Sequence, residues 1–262
     1  MIIQNTFISS FFKIATRTVA GVFLFIPILG QAQYVPKPPP PMVPAMTEFW
    51  EPAVKVISPG INTSAPSDAI ILFNGTDLSQ WESKNGSAAK WKLNNGVMTV
   101  VKGTGDITTK LKFSDFQLHA EWMVPVETDG NKPNTGNSGI YMQGLYELQV
   151  WNSYDIPLYA NGQAGSIYKQ APPLVNAMRK PGEWNIYDVI YTAPRFKDNG
   201  TLFTPARITV MHNGVVIQNN TEIKGSTVYT GMPVYKAHGK GPILLQDHTD
   251  AVSYRNIWIR EL

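Results

Sequence analysis

From Phe116 to Val124 the chain alternates. Phe116, Leu118, Ala120, Trp122 and Val124 are apolar, and Gln117, His119, Glu121 and Met123 fall between them. A period of two sends the two sets to opposite faces of an extended chain, so this stretch is predicted to be a strand with one core face and one mostly polar face. Shorter signals of the same kind recur. Ala69 to Phe73 is an apolar run stopped by Asn74-Gly75. Trp91 to Leu93 and Val97 to Val101 flank Asn94-Asn95-Gly96, and Arg207 to Met211 and Val215 to Gln218 flank His212-Asn213-Gly214. Asn-Gly tolerates positive φ, so both sites predict tight hairpins. Pro242 to Gln246 and Val252 to Ile259 add two more branched or aromatic runs. There is no long segment of period 3.6 and no internal repeat. Many short strands separated by turns predict an all-β, two-sheet sandwich.

The N-terminal part breaks this pattern. Lys13 and Arg17 precede an apolar run from Val19 to Leu29, followed by Gly30-Gln31-Ala32. A basic region, a short apolar core and small residues at −3 and −1 predict a secretory signal over residues 1–32, cut after Ala32. Eleven residues containing Pro27 are too few to span ~30 Å of hydrocarbon, so no stable membrane insertion is expected. The expected location is a bacterial periplasm or surface. Residues 33–67 hold Pro36, Pro38, Pro39, Pro40, Pro41, Pro44, Pro52, Pro59 and Pro66 and predict an extended linker. The body then covers residues 68–262.

Composition narrows the chemistry. The 262 residues contain no cysteine, which excludes disulfides, thiolate metal sites and a cysteine nucleophile. A net charge of +3 is too mild to suggest a nucleic-acid partner. No Gly-x-Ser-x-Gly elbow, P-loop or dinucleotide fingerprint is present. The four histidines, His119, His212, His238 and His248, show no His-x-His or His-x-x-x-His spacing.

The densest chemistry lies in NSGIYMQGLYELQVWNSY, residues 137–154. Ser138 to Gln143 and Tyr146 to Trp151 read as strands around Gly144-Leu145, a Gly-first type II′ turn. Glu147, Gln149 and Trp151 then share one face of the second strand. A carboxylate, a carboxamide and an indole in a row suit a hydroxylated pyranose, and an ordinary solvent-facing row has the same pattern. A second polar cluster is Leu245-Gln246-Asp247-His248, where an imidazole next to a carboxylate is suited to acid or base work.

GNSGIYMQGLYELQVWNSY, NGQAGSIYKQAPPLVNAMRKPGEWNIYDVIYTAPRF and GPILLQDHTDAVSYRNIWIREL resemble the 3-keto-disaccharide hydrolase domain family, as do ILFNGTDLSQWES and GTGDITTKLKFSDFQLHAEW in the N-terminal half. The resemblance covers residues 68–262. Leu244 stands where many relatives carry a long side chain, and Trp151-Asn152 where Leu-Asp is more usual. The resemblance implies a concanavalin-like jelly-roll sandwich acting on glycosides whose C3 hydroxyl has become a ketone. Such a ketone acidifies the C2 hydrogen, and the glycosidic oxygen on C1 is β to the resulting enolate. The site then needs a base at C2 and a donor for the enolate or the leaving oxygen. Glu147 is the candidate base and His248 the candidate acid or donor. Gln149 and Gln246 would hold hydroxyls, with Tyr141, Trp151 and Arg179 lining the cleft. A divalent metal on Glu147, Asp247 and His248 is an open possibility, as is the oligomeric state. Two other classes fit the same residues: a jelly roll that binds sugar without cleaving it, and a conventional retaining or inverting glycosidase with two carboxyls ~5–5.5 Å or ~6.5–9.5 Å apart.

Overall fold

The computed structural model describes residues 36–126, 136–154 and 158–262, so the expected signal at 1–32 lies outside the described residues. The chain divides into two units, Met1–Val54 and Lys55–Leu262. In the first, residues 36–54 are exposed and carry one short 3-10 turn, Pro44–Thr47. Among the described residues no helix is long and apolar enough to cross a membrane.

The second unit is almost all β. In chain order its strands are β1 (Ile70–Phe73), β2 (Trp81–Ser83), β3 (Lys92–Asn94), β4 (Val97–Thr99), β5 (Ile107–Thr109), β6 (Phe116–Met123), β7 (Ser138–Met142), β8 (Tyr146–Val150), β9 (Asn185–Thr192), β10 (Arg195–Phe196), β11 (Leu202–Thr204), β12 (Arg207–His212), β13 (Val215–Glu222), β14 (Leu244–Leu245) and β15 (Ser253–Glu261). One sheet runs β13-β12-β9-β6-β15-β4-β3, with β1 also paired to β15, and the other runs β2-β5-β14-β7-β8. Strands β10 and β11 form a separate ribbon. The pairings are antiparallel, and the two sheets make the expected jelly-roll sandwich.

The sequence signals that set the turns act as expected at two places. Asn95 and Gly96 have φ of 50° and 76° between β3 and β4, and Asn213 and Gly214 have 53° and 80° between β12 and β13. The β7–β8 turn differs. Gln143 and Gly144 both have positive φ, 52° and 69°, with Leu145 N–H donating to Met142 O at 3.1 Å. Two positive φ values make a type I′-like turn rather than the expected type II′. The connection is also one residue longer than expected and shifts the pairing. Tyr141 lies opposite Glu147 and Gly139 opposite Gln149, where a two-residue turn at Gly144-Leu145 would have set Tyr141 against Leu148. Glu147 and Gln149 share a face of β8 as expected.

The core lies between the sheets. Phe116, Leu118, Ala120 and Trp122 of β6 point into it, as do Ile140 and Met142 of β7 and Tyr146, Leu148 and Val150 of β8. A buried tyrosine needs a partner for its hydroxyl. Here the partners are on the opposite sheet. Tyr187 and Tyr191 of β9 donate to Gln149 O (2.9 Å) and Gln143 Oε1 (2.8 Å), and Tyr254 of β15 meets Ser138 Oγ at 2.7 Å. Three polar bolts thus fix β7 and β8 to the larger sheet.

The face of β6 expected to be simply polar is covered. His119 and Glu121 are 2% and 4% exposed. The His119 ring stacks on Trp258, and its Nδ1 lies 2.6 Å from Asp188 Oδ1. Glu121 accepts from Arg255 Nε (2.6 Å), Asn256 Nδ2 (2.8 Å) and Thr63 Oγ1 (3.1 Å). A bulge in β15 between Arg255 and Trp258, with Asn256 at φ 45°, makes this packing possible. Thr63 belongs to the stretch expected to be linker. Residues 55–67 instead form part of the second unit, tied down by Ser67 N–H to Ser58 O and by an Ile61–Ser64 turn.

Candidate active site

On the face of the smaller sheet turned away from the core, Tyr141, Glu147, Gln149 and Gln246 converge on a cavity of about 260 Å³. Asn137, Tyr168, Thr227, Tyr229 and His248 complete its wall. The sheet alone would leave Glu147 in water. The segments carrying Tyr168, Thr227 and Tyr229 wall it in, and Glu147 is only 4% exposed.

Each neighbour of this carboxylate has a structural reason for its place. Gly139 sits diagonally across the β7–β8 pair. A methyl group there would meet Glu147 Oε1 at 2.7 Å and the Tyr141 ring at 2.9 Å, so the missing side chain is the space the carboxylate occupies. With its nitrogen turned toward its two acceptors, Gln149 donates to Ser138 O at 2.9 Å and to Glu147 Oε1 at 3.1 Å. The Tyr141 hydroxyl donates to Glu147 and accepts from Gln246 Nε2 at 3.2 Å. Gln246 is fixed by its backbone N–H on Gly139 O and its carbonyl on Ser138 Oγ. Its own Oε1 is buried with no hydrogen-bond partner among the described residues.

Burial, reinforced by the nearby Asp106 carboxylate and opposed by the Tyr141 hydrogen bond, raises the Glu147 pKa from an ordinary 4.5 to about 7. Asp106 is itself held by Lys84 at 2.6 Å and by Asp247 N–H at 2.9 Å. Burial and the Glu147 charge push the Tyr141 hydroxyl well above its ordinary range, so it stays protonated as a donor.

Of the residues singled out in the sequence, Glu147, His248, Tyr141, Gln149 and Gln246 all line this cavity. Trp151 lines an adjoining one. Arg179 is a correction. It lies at the entry to β9, exposed, with its guanidinium donating to Trp184 O at 2.9 Å, and it lines neither cavity. The possible ligand set Glu147, Asp247 and His248 is not assembled. Asp247 turns its carboxylate to Gly105 N–H (2.9 Å) and Thr249 N–H (2.9 Å), capping its own loop. Among the described residues no three histidine, aspartate or glutamate side chains converge on a metal position. His212 is structural, buried against Asn185 Oδ1 at 3.0 Å, and burial lowers its pKa to about 3. Thr227 and Tyr229 were missed because they sit in an irregular loop without period or motif. Tyr168 lies inside the NGQAGSIYKQ stretch of the resemblance, which was the one available signal.

Residues 68–260 match the 3-keto-alpha-glucoside-1,2-lyase-like domain family. The chain belongs to this family. A solved structure from Parabacteroides distasonis, described as a candidate glycosyl hydrolase, is 54% identical with a TM-score of 0.81, and the match covers 87% of this chain and 100% of that one. A second candidate glycosyl hydrolase from the same organism shares the fold at 22% identity and TM-score 0.56, covering 74% of this chain and 94% of that one. No curated protein matches. The 3-keto-alpha-glucoside-1,2-lyase-like domain supplies almost every residue named in the site, from Asp106 to His248.

Proposed function

We propose that this protein cleaves the glycosidic bond of 3-keto-glycosides by proton abstraction at C2 and elimination across C1–C2. The observation that carries the reading is Glu147, a buried carboxylate with a pKa near 7 and, among the described residues, the only carboxylate lining its cavity. A general base works best when its pKa lies near the working pH. A conventional glycosidase would need a second carboxyl facing the first across the bond.

In the first step Glu147 takes the C2 proton and the C2–H electrons form the enolate of the C3 ketone. The enolate then expels the glycosidic oxygen from C1, leaving a C1=C2 double bond conjugated to the ketone. In this reading His248, which lines the same cavity, donates to the enolate or protonates the departing oxygen. Gln246 holds the Tyr141 hydroxyl through Nε2, and Tyr141 keeps the Glu147 carboxylate aimed. Water adding at C1, with protonation at C2, completes a net hydrolysis.

The test pairs glycosides oxidised and unoxidised at C3. Only the oxidised member should be cleaved, and hydrated product formed in heavy water should carry deuterium at C2. Cleavage of both at similar rates without C2 deuterium would remove the elimination route. Binding without any product would leave a sugar-binding module. The pH dependence has a definite sign as well. Glu147 must be deprotonated to act, so kcat/KM should rise with pH through an inflection near 7 and level off above it. A flat profile between pH 5 and 8 would separate the rate from Glu147.

A further inference from the structure

His248 reaches the wall of the Glu147 cavity from a loop that no sheet supports. Strand β14 ends at Leu245, and residues 246–250 run on toward β15 without strand or helix. His248 itself is exposed. An exposed side chain on such a loop samples many positions unless the backbone beneath it is held. Proton transfer tolerates little of that freedom, because the acid must stay within hydrogen-bond reach of the reacting atom.

Aspartates hold this backbone. The Asp247 carboxylate accepts two backbone donors, Gly105 N–H on Oδ2 and Thr249 N–H on Oδ1, both at 2.9 Å. In the opposite direction Asp106 Oδ1 accepts Asp247 N–H at 2.9 Å, while Asp106 Oδ2 meets Lys84 Nζ at 2.6 Å. Each of two loops thus lends a carboxylate to the backbone of the other. The loop is also tied at its ends. Gln246 N–H donates to Gly139 O at 3.0 Å, and Asp250 Oδ2 accepts Asn137 N–H at 2.8 Å. Hydrogen bonds to an ionised acceptor are roughly twice as strong as neutral ones, so the aspartates are the firm part of this frame.

The backbone next to His248 bears the mark of that hold. Thr249 has φ of 75°, a left-handed conformation that is a genuine outlier for a β-branched residue. Such an angle persists only where the surroundings impose it. The Asp247 bond to Thr249 N–H closes the turn around residue 248 and supplies the constraint.

We propose that Asp247 and Asp106 are positioning residues, a reciprocal clasp that keeps His248 at the wall of the Glu147 cavity. The proposal rests on the elimination reading for the chemical role of His248 only. Rates are compared at pH 9, where Glu147 is ionised. Asp247→Ala should lower kcat on a 3-keto-glycoside about tenfold with KM little changed. Combined with His248→Ala it should cost nothing further, because both changes remove one contribution. Asp106→Ala should lower kcat in the same way. Asp106→Asn should regain most of that loss, since the amide oxygen still accepts Asp247 N–H. Full kcat in Asp247→Ala where His248→Ala is impaired, or losses that multiply when the two are combined, would overturn the clasp.

Nuclear magnetic resonance separates the clasp from the reaction. At pH 9 Glu147→Gln removes a negative charge from the cavity that His248 lines, and it should move the His248 ring C–H resonances, assigned by their loss in His248→Ala. On an Asp247→Ala background the same change should leave those resonances in place. That result would keep the clasp even if no 3-keto-glycoside is cleaved. Ring resonances that respond to Glu147→Gln equally with and without Asp247 would remove it, whatever the reaction proves to be.

Discussion

Glu147→Gln should lose at least ~10²-fold of 3-keto-glycoside cleavage while the folded protein becomes more stable at pH 8. The amide keeps the shape of the carboxylate and cannot take the C2 proton. The gain in stability follows from the same burial that makes the base. In the folded protein the carboxyl holds its proton up to about pH 7, whereas its ordinary pKa is 4.5. The folded state therefore binds the extra proton between these values, and stability falls as pH rises from about 4.5 through 7. A shift of this size corresponds to up to about 3 kcal/mol. Denaturant titrations of wild type and variant should diverge at pH 8 and converge near pH 4.5. A variant no more stable than wild type at pH 8 would contradict the buried charge, and one with full activity would take Glu147 out of the reaction.

Gly139→Ala should cost about as much activity by a wholly different route. An alanine is at home in a strand, so the backbone has no objection. Its methyl group would lie 2.7 Å from Glu147 Oε1 and 3.1 Å from Glu147 Cγ, and the carboxylate must swing away. Displacing a reacting group by ~1 Å can remove on the order of 10²-fold in rate. The effect should appear in kcat, because the carboxylate that takes the proton is the group displaced. Wild-type kcat in Gly139→Ala would show that the carboxylate acts from some other position.

Much of this site was legible because β strands encode facing in a period of two. Glu147 and Gln149 share a face of β8 whatever turn precedes it, but Tyr141 lies beside Glu147 only because the connection is three residues long. The expected two-residue turn would have set it against Leu148. Gln246 and His248 were visible as polar residues just past a short apolar strand. Arg179 illustrates the opposite case. A long basic side chain in a resembling motif suggests substrate contact, but only the path of the chain into β9 shows that it answers a carbonyl at Trp184. The tyrosines at 168 and 229 come from loops whose meeting depends on tertiary packing. His119 and Glu121 had the right period for a polar face, and nothing local announced that a distant threonine would seal them.

That seal separates two kinds of boundary. The family match begins at residue 68, and Thr63 lies upstream of it. Its carbonyl is the acceptor for Trp258 Nε1 at 3.1 Å and Asn256 Nδ2 at 2.9 Å, and its hydroxyl completes the shell of Glu121. A chain trimmed to the recognisable domain would leave an indole N–H, a carboxamide and part of a carboxylate facing open water or an empty pocket. The family match and the compact body that folds are therefore offset by several residues. Any fragment chosen for expression, swapping or fusion should be cut upstream of Lys55, where the compact body begins.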